Sequence, residues 1–93
     1  MNAKEIKKKI LPILKKYDVN KAAFFGSIVR GEETEESDID LLIEFRGEKS
    51  LLDLAGLKIE LEELLKRKVD VLTYRSLYPL LREKILDEQE VIL

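Results

Sequence analysis

Asp38 and Asp40, one residue apart in SDIDLLIEF, and Asp70 in KVDVL are the side chains of this sequence best suited to chemistry. If the D-x-D pair lies on a strand, both carboxylates leave the same face. Two ionised carboxylates held that close raise one another's pKa unless a cation sits between them. Ligands made only of oxygen suit magnesium, which takes one or two carboxylates together with phosphate oxygens and water. Asp70, on a second strand with an acidic face, supplies a third carboxylate if the two strands are neighbours. Three carboxylates on adjoining strands can hold two metal ions about 4 Å apart, an arrangement that stabilises both the attacking and the leaving oxygen of a phosphoryl transfer. A lone D-x-D matches by chance easily. Here the pair falls on the face opposite Ile39, Leu41 and Ile43, and Asp is disfavoured inside strands, so a purely structural purpose is hard to assign.

A second element lies upstream. Gly26-Ser27 follows the apolar run AAFF and precedes a short helical turn, where backbone N–H groups can cradle phosphate. Ser27 adds a hydroxyl donor, and Arg30, one turn on, suits phosphate oxygens. No Gly-Lys-Ser/Thr follows, which excludes a Walker P-loop. Leu42 and Ile43 stand where an EF-hand needs a ligand and a glycine. Between the two elements, Glu32, Glu33, Glu35 and Glu36 read as a solvated loop.

The composition narrows the chemistry further. There is no histidine and no cysteine, so disulfides, thiolate nucleophiles, the usual zinc sites and every Ser-His-Asp or Cys-His scheme are excluded. Carboxylates, hydroxyls, Lys, Arg and a hard metal ion remain. The formal charge of −2 argues against a nucleic-acid coat, which carries a basic surplus. No signal peptide and no apolar run of membrane-spanning length is evident, so a cytoplasmic location is expected.

The elements that must position these residues follow from periodicity. The 93 residues suit one domain, spanning 1–93. Residues 2–17 carry a helical stripe of Ile6, Ile10, Ile13, Leu14 and Tyr17, opened by an Asn2–Glu5 capping box and interrupted at Pro12, where a kink or two abutting helical pieces are expected. Residues 21–25 read as a buried strand, and 27–31 as one helical turn with Ser27 as N-cap. Residues 37–45 alternate, with Ile39, Leu41, Ile43 and Phe45 on one face and Asp38, Asp40, Leu42 and Glu44 on the other. Residues 51–67 form an amphipathic helix presenting Leu54, Leu57, Leu61, Leu64 and Leu65. Residues 68–72 form another strand. Ser76 and Pro79 open a last helix to about Asp87, with Leu77, Leu81 and Ile85 inward, and the EVIL tail adds an edge strand. The order predicts an α/β (α+β) fold, helices packed against one small mixed sheet.

The long spaced motif, G-S, ten residues, then D-x-D, with R-G inside it and a later VDVL, resembles the minimal nucleotidyltransferases of the polymerase-beta-like superfamily, antitoxin partners of HEPN-domain ribonuclease toxins. The likeness covers nearly the whole chain, and no motif position is substituted. It implies the nucleotidyltransferase fold, with Gly26, Ser27 and Arg30 at the nucleotide phosphates. Asp38, Asp40 and Asp70 would be the metal-binding and catalytic carboxylates, Asp70 as a candidate base. It further implies magnesium as cofactor, two ions by the family's pattern, and ATP as substrate. AMP would pass to a hydroxyl, a tyrosine, of a HEPN toxin that is both acceptor and binding partner. A homo-oligomer is left open, while neither a membrane nor nucleic acid is expected as partner. Two other readings stand beside this one: a non-catalytic module that occludes the toxin, and nucleotidyl transfer to a different acceptor.

Overall fold

A computed structural model describes residues 2–32, Thr34 and residues 36–93. Of the acidic loop, Glu33 and Glu35 therefore lie outside the described residues, while Glu32 and Glu36 are exposed as expected. The chain runs α1 (Ala3–Lys16), β1 (Val19–Phe25), α2 (Ser27–Arg30), β2 (Ile39–Phe45), α3 (Leu51–Leu65), β3 (Val69–Thr73), a 3₁₀ turn (Tyr74–Ser76), α4 (Pro79–Glu88) and β4 (Glu90–Val91). The four strands form one mixed sheet in the order β3-β2-β1-β4. β1 pairs antiparallel with both β2 and β4, whereas β2 and β3 run parallel and α3 makes the crossover between them.

The helices start where local chemistry satisfies their first amides. Asn2 Oδ1 accepts the Glu5 amide at 2.9 Å and opens α1. Pro12 lies inside α1 without ending it. The helix runs through as one element, anchored on both sides of the proline by buried Ile10 and Leu14. α3 begins with a reciprocal capping box: the Ser50 hydroxyl takes the Asp53 amide while the Asp53 carboxylate takes the Ser50 amide. Replacing Ser50 by Ala removes this cap, and the expected cost is about 1 kcal/mol, read in a thermal melt as a drop of about 4–8 °C for a domain of this size.

α1 and α3 cover one face of the sheet. Ile6, Ile10 and Leu14 of α1 and Leu57, Leu61 and Leu65 of α3 are buried against Ala22 and Phe24 of β1, Ile39, Leu41 and Ile43 of β2, and Val69 and Val71 of β3. This is the alternation read from the sequence, with one exception on α3: Leu64 points outward, 41% exposed, because the stripe closes on Leu57, Leu61 and Leu65.

The opposite face departs further from expectation. Leu42 and Ala23, paired across β2 and β1, are completely buried, while Leu77, from the segment leading into α4, is buried as expected. α4 itself is held by polar tethers rather than by an apolar stripe. Tyr74 Oη donates to Gln89 Oε1 at 2.7 Å, Arg82 Nη1 donates to the Tyr74 carbonyl at 3.2 Å, and Arg30 pairs with Glu88 at 3.1 Å. Ile85 is consequently half-buried, and Leu81, expected inward, is 52% exposed. Ser76 belongs to the 3₁₀ turn, and α4 opens three residues later with Pro79 at its first position, where the missing N–H costs nothing.

Candidate active site

The site begins where β1 runs out. Phe25, its last residue, stands opposite Asp40 of β2, so the next residue, Gly26, turns the chain directly beside that carboxylate. Gly26 has φ 78° and ψ −148°, a conformation open in practice to glycine alone. A Cβ at this position would overlap Asp40 Oδ2 and lie 3.2 Å from its Cγ. The glycine is therefore required twice, for the backbone conformation and for the space. Gly26, and not Ser27, is the N-cap of α2, which corrects the sequence reading: the strand-to-helix reversal needs a positive φ that serine adopts only with strain. Ser27 becomes the first helical residue, and Gly31 ends the helix in the left-handed region.

The parallel pairing of β2 with β3 sets Asp40 directly beside Asp70. Laterally paired residues share a sheet face, so Phe25, Asp40 and Asp70 form one row across three strands, on the face away from the α1/α3 core. Asp38 stands just before β2, two residues from Asp40 on the same side, and is half-buried. The electrostatics register the crowding. Partial burial, then the charges of Asp70 and Asp38, then a side-chain hydrogen bond with Asp70 push the Asp40 pKa up to about 6, against an opposing pull from Arg30. Among the described residues, no three His, Cys, Asp or Glu side chains are drawn together closely enough to form a ready-made metal cluster. The donor set nevertheless fits a hard cation: three oxygen ligands whose mutual repulsion a positive charge would relieve.

Arg30, one turn after Gly26, is held by two carboxylates, donating from Nε to Glu32 Oε1 and from Nη1 to Glu88 Oε2, each at 3.1 Å. Its charge is felt at Asp40, so the three predicted aspartates, Gly26, Ser27 and Arg30 all gather at one end of the sheet. Glu88 and Arg67 also reach this end and were not singled out in the sequence, since neither lies in a motif. Their partners are 58 residues away for Glu88 and about 30 for Arg67, a range that no local pattern reports. A cleft of about 690 Å³ opens at the other ends of β2 and β3, lined by Phe45, Lys49, Tyr74 and Arg75 among others, and includes none of the aspartates. The carboxylates and this cleft thus lie at opposite ends of β2 and β3.

The chain resembles known proteins in both sequence and fold. Residues 8–93 match the family described as polymerase beta, nucleotidyltransferase. An inferred protein adenylyltransferase of Methanocaldococcus jannaschii is 59% identical over 88 residues, 95% of each chain. A solved structure of an inferred minimal nucleotidyltransferase superposes with a TM-score of 0.83 at 38% identity, covering 97% of this chain and 95% of that one. A Shewanella oneidensis complex of a tri-AMPylated HEPN toxin with an MNT antitoxin superposes with a TM-score of 0.76 over 97% of this chain and 71% of that one; at 18% identity this likeness speaks to the fold alone.

Proposed function

Because the chain belongs to the polymerase beta nucleotidyltransferase family, we propose that it is an antitoxin that transfers AMP from ATP to a hydroxyl, a tyrosine, of a HEPN-domain toxin. The observation that carries this reading is the lateral pair Asp40–Asp70, with Asp38 and the Gly26 turn beside it, in a chain whose relatives are nucleotidyltransferases. The likeness to an inferred protein adenylyltransferase supports a protein as the acceptor, and the shared fold is compatible with a HEPN toxin in that place.

In this reading, the backbone at Gly26 and the Ser27 hydroxyl bind the triphosphate, and Arg30 trades a carboxylate partner for a phosphate oxygen. Asp38, Asp40 and Asp70 would hold magnesium, which when bound neutralises triphosphate charge and polarises the phosphoryl oxygens. Asp70 takes the proton from the acceptor hydroxyl as its oxygen attacks the α-phosphorus in line. The bond from the α-phosphorus to the bridging oxygen breaks, the AMP ester forms, and pyrophosphate leaves.

The test is intact mass spectrometry of a HEPN partner incubated with ATP, magnesium and this protein at one-tenth of the partner's concentration. Whole AMP increments on more than one-tenth of the partner, removed by converting its acceptor tyrosine to Phe, are expected. Neutralisation that needs equal amounts and leaves the mass unchanged would replace the enzyme by an occluding module.

A further inference from the structure

The turn between α3 and β3 fastens the ends of both aspartate-bearing strands. Lys66 ends α3 in the left-handed region, and Glu62 Oε2, one turn back, accepts the Val69 amide at 2.9 Å, fixing the first residue of β3. Lys68 offers its carbonyl to the Ile39 amide at 3.0 Å, fixing the first residue of β2. Between them, Arg67 reaches back into the acidic loop. Its Nη2 donates to the Thr34 and Ser37 carbonyls, each at 2.6 Å, one for each of the two hydrogens on that nitrogen. Thr34 and Ser37 are themselves the two ends of a closed turn. The Ser37 amide donates to the Thr34 carbonyl at 3.1 Å, and the Thr34 amide to Ser37 Oγ at 3.0 Å. Asp38 is the next residue. Its backbone is thus pinned on the near side through Ser37 to Arg67 and on the far side through Ile39 to Lys68, while Asp70 follows Arg67 by three residues.

From this we infer that Arg67 is a positioning residue: by clasping the Thr34–Ser37 turn it fixes Asp38 relative to Asp40 and Asp70, and so sets the affinity of the carboxylates for a divalent cation. The metal part of this inference rests on the proposed function; the clasp does not. Groups that orient metal ligands from behind change affinity about 10- to 100-fold when lost. A staple that served only overall folding would act equally everywhere. Arg suits the task better than Lys because its planar group presents two N–H bonds in a fixed geometry to two fixed acceptors.

The experiment uses the full chain without nucleotide, with Mn²⁺ as the probe, and compares wild type, R67A and R67K. Binding is read by electron paramagnetic resonance and backbone opening by amide hydrogen exchange. For R67A we expect the Mn²⁺ dissociation constant to rise about 10-fold and the amides of residues 36–39 to exchange about 10-fold faster, while α1 and β1 keep their protection. R67K should recover part of both. The inference is overturned if R67A binds Mn²⁺ within twofold of wild type, or if exchange accelerates across α1 and β1 to the same degree. A D38N/D40N variant separates the two layers. Should it bind Mn²⁺ as tightly as wild type, the metal reading fails, and exchange at residues 36–39 in R67A still decides whether the clasp holds.

Discussion

Asp40→Asn is expected to lower the rate of AMP transfer by at least about 1,000-fold and, in the same protein without metal, to raise its melting temperature at pH 7.5. The first half follows from the proposed role. Electrostatic stabilisation by a bound cation is worth several kcal/mol, and about 4 kcal/mol corresponds to three decades of rate. The second half follows from the crowding of carboxylates. The Asp40 carboxyl is pushed from its ordinary 3.8 up to about 6 by burial, then by Asp70 and Asp38. Between these two values the folded chain retains a proton that the unfolded chain has released, so stability falls as pH rises through the window. The favourable contribution is complete below pH 3.8 and gone above about 6. At neutral pH the wild type thus carries an unfavourable charge that asparagine lacks. Two units would be worth about 3 kcal/mol for a fully buried group; solvent screening at this half-exposed site leaves about 1 kcal/mol, or about 4–8 °C. At pH 4 the advantage of Asn should shrink towards nothing. Magnesium with ATP should raise the melting temperature of the wild type and leave that of the variant unmoved. Melting curves at pH 4 and pH 7.5, with and without magnesium and ATP, check all three signs. A variant less stable than wild type at pH 7.5 without metal would show that the carboxylates do not oppose one another as described.

The same residue shows how far the sequence carries. Its alternation with Ile39, Leu41 and Ile43 placed it on the face away from the main core, because the period of a strand is fixed by backbone geometry. That Asp70 is its lateral neighbour was not legible. Strand order is decided by a crossover whose length is satisfied by several topologies, and only the parallel register of β2 with β3 brings the two together. Leu42 illustrates a related blind spot: a period of two separates the faces but does not say that the second face is also covered, and Leu42 is fully buried. The last helix misled in the opposite direction. Leu81 has helical spacing with Leu77 and Ile85, yet α4 is tied by Tyr74, Arg30 and Arg82 through polar bonds, and Leu81 turns outward. Side chains that reach distant backbone, as Arg67 does, leave no periodic trace at all.

Gly26→Ala is the second variant with a large expected effect, and it separates space from strain. The sequence marks Gly26 as a turn residue whose backbone could cradle phosphate; the structure gives its one missing methyl a specific victim. An alanine Cβ would overlap Asp40 Oδ2 and press on its Cγ from 3.2 Å, so either Asp40 or the α2 turn must shift. A carboxylate can swing away cheaply on its own bonds, but doing so takes it out of the row with Asp70. Displacement of a reacting group by about 1 Å costs on the order of 100-fold in rate, and that is the loss of AMP transfer expected here. The backbone adds its own penalty, since alanine at φ 78° and ψ −148° is strained by about 1–3 kcal/mol. Gly47, in the turn after β2, supplies the control. It also has a positive φ, of 74°, but a Cβ there meets nothing within 4 Å. Gly47→Ala should therefore lose about 1 kcal/mol of stability from the left-handed backbone while AMP transfer stays within about twofold of wild type. Rates and melting temperatures measured in parallel for the two variants decide the matter. If Gly26→Ala loses stability as Gly47→Ala does but transfers AMP at the wild-type rate, the approach of Gly26 to Asp40 has no part in catalysis. If its rate falls by two decades while Gly47→Ala stays active, the glycine is there to let the carboxylate stand where it does.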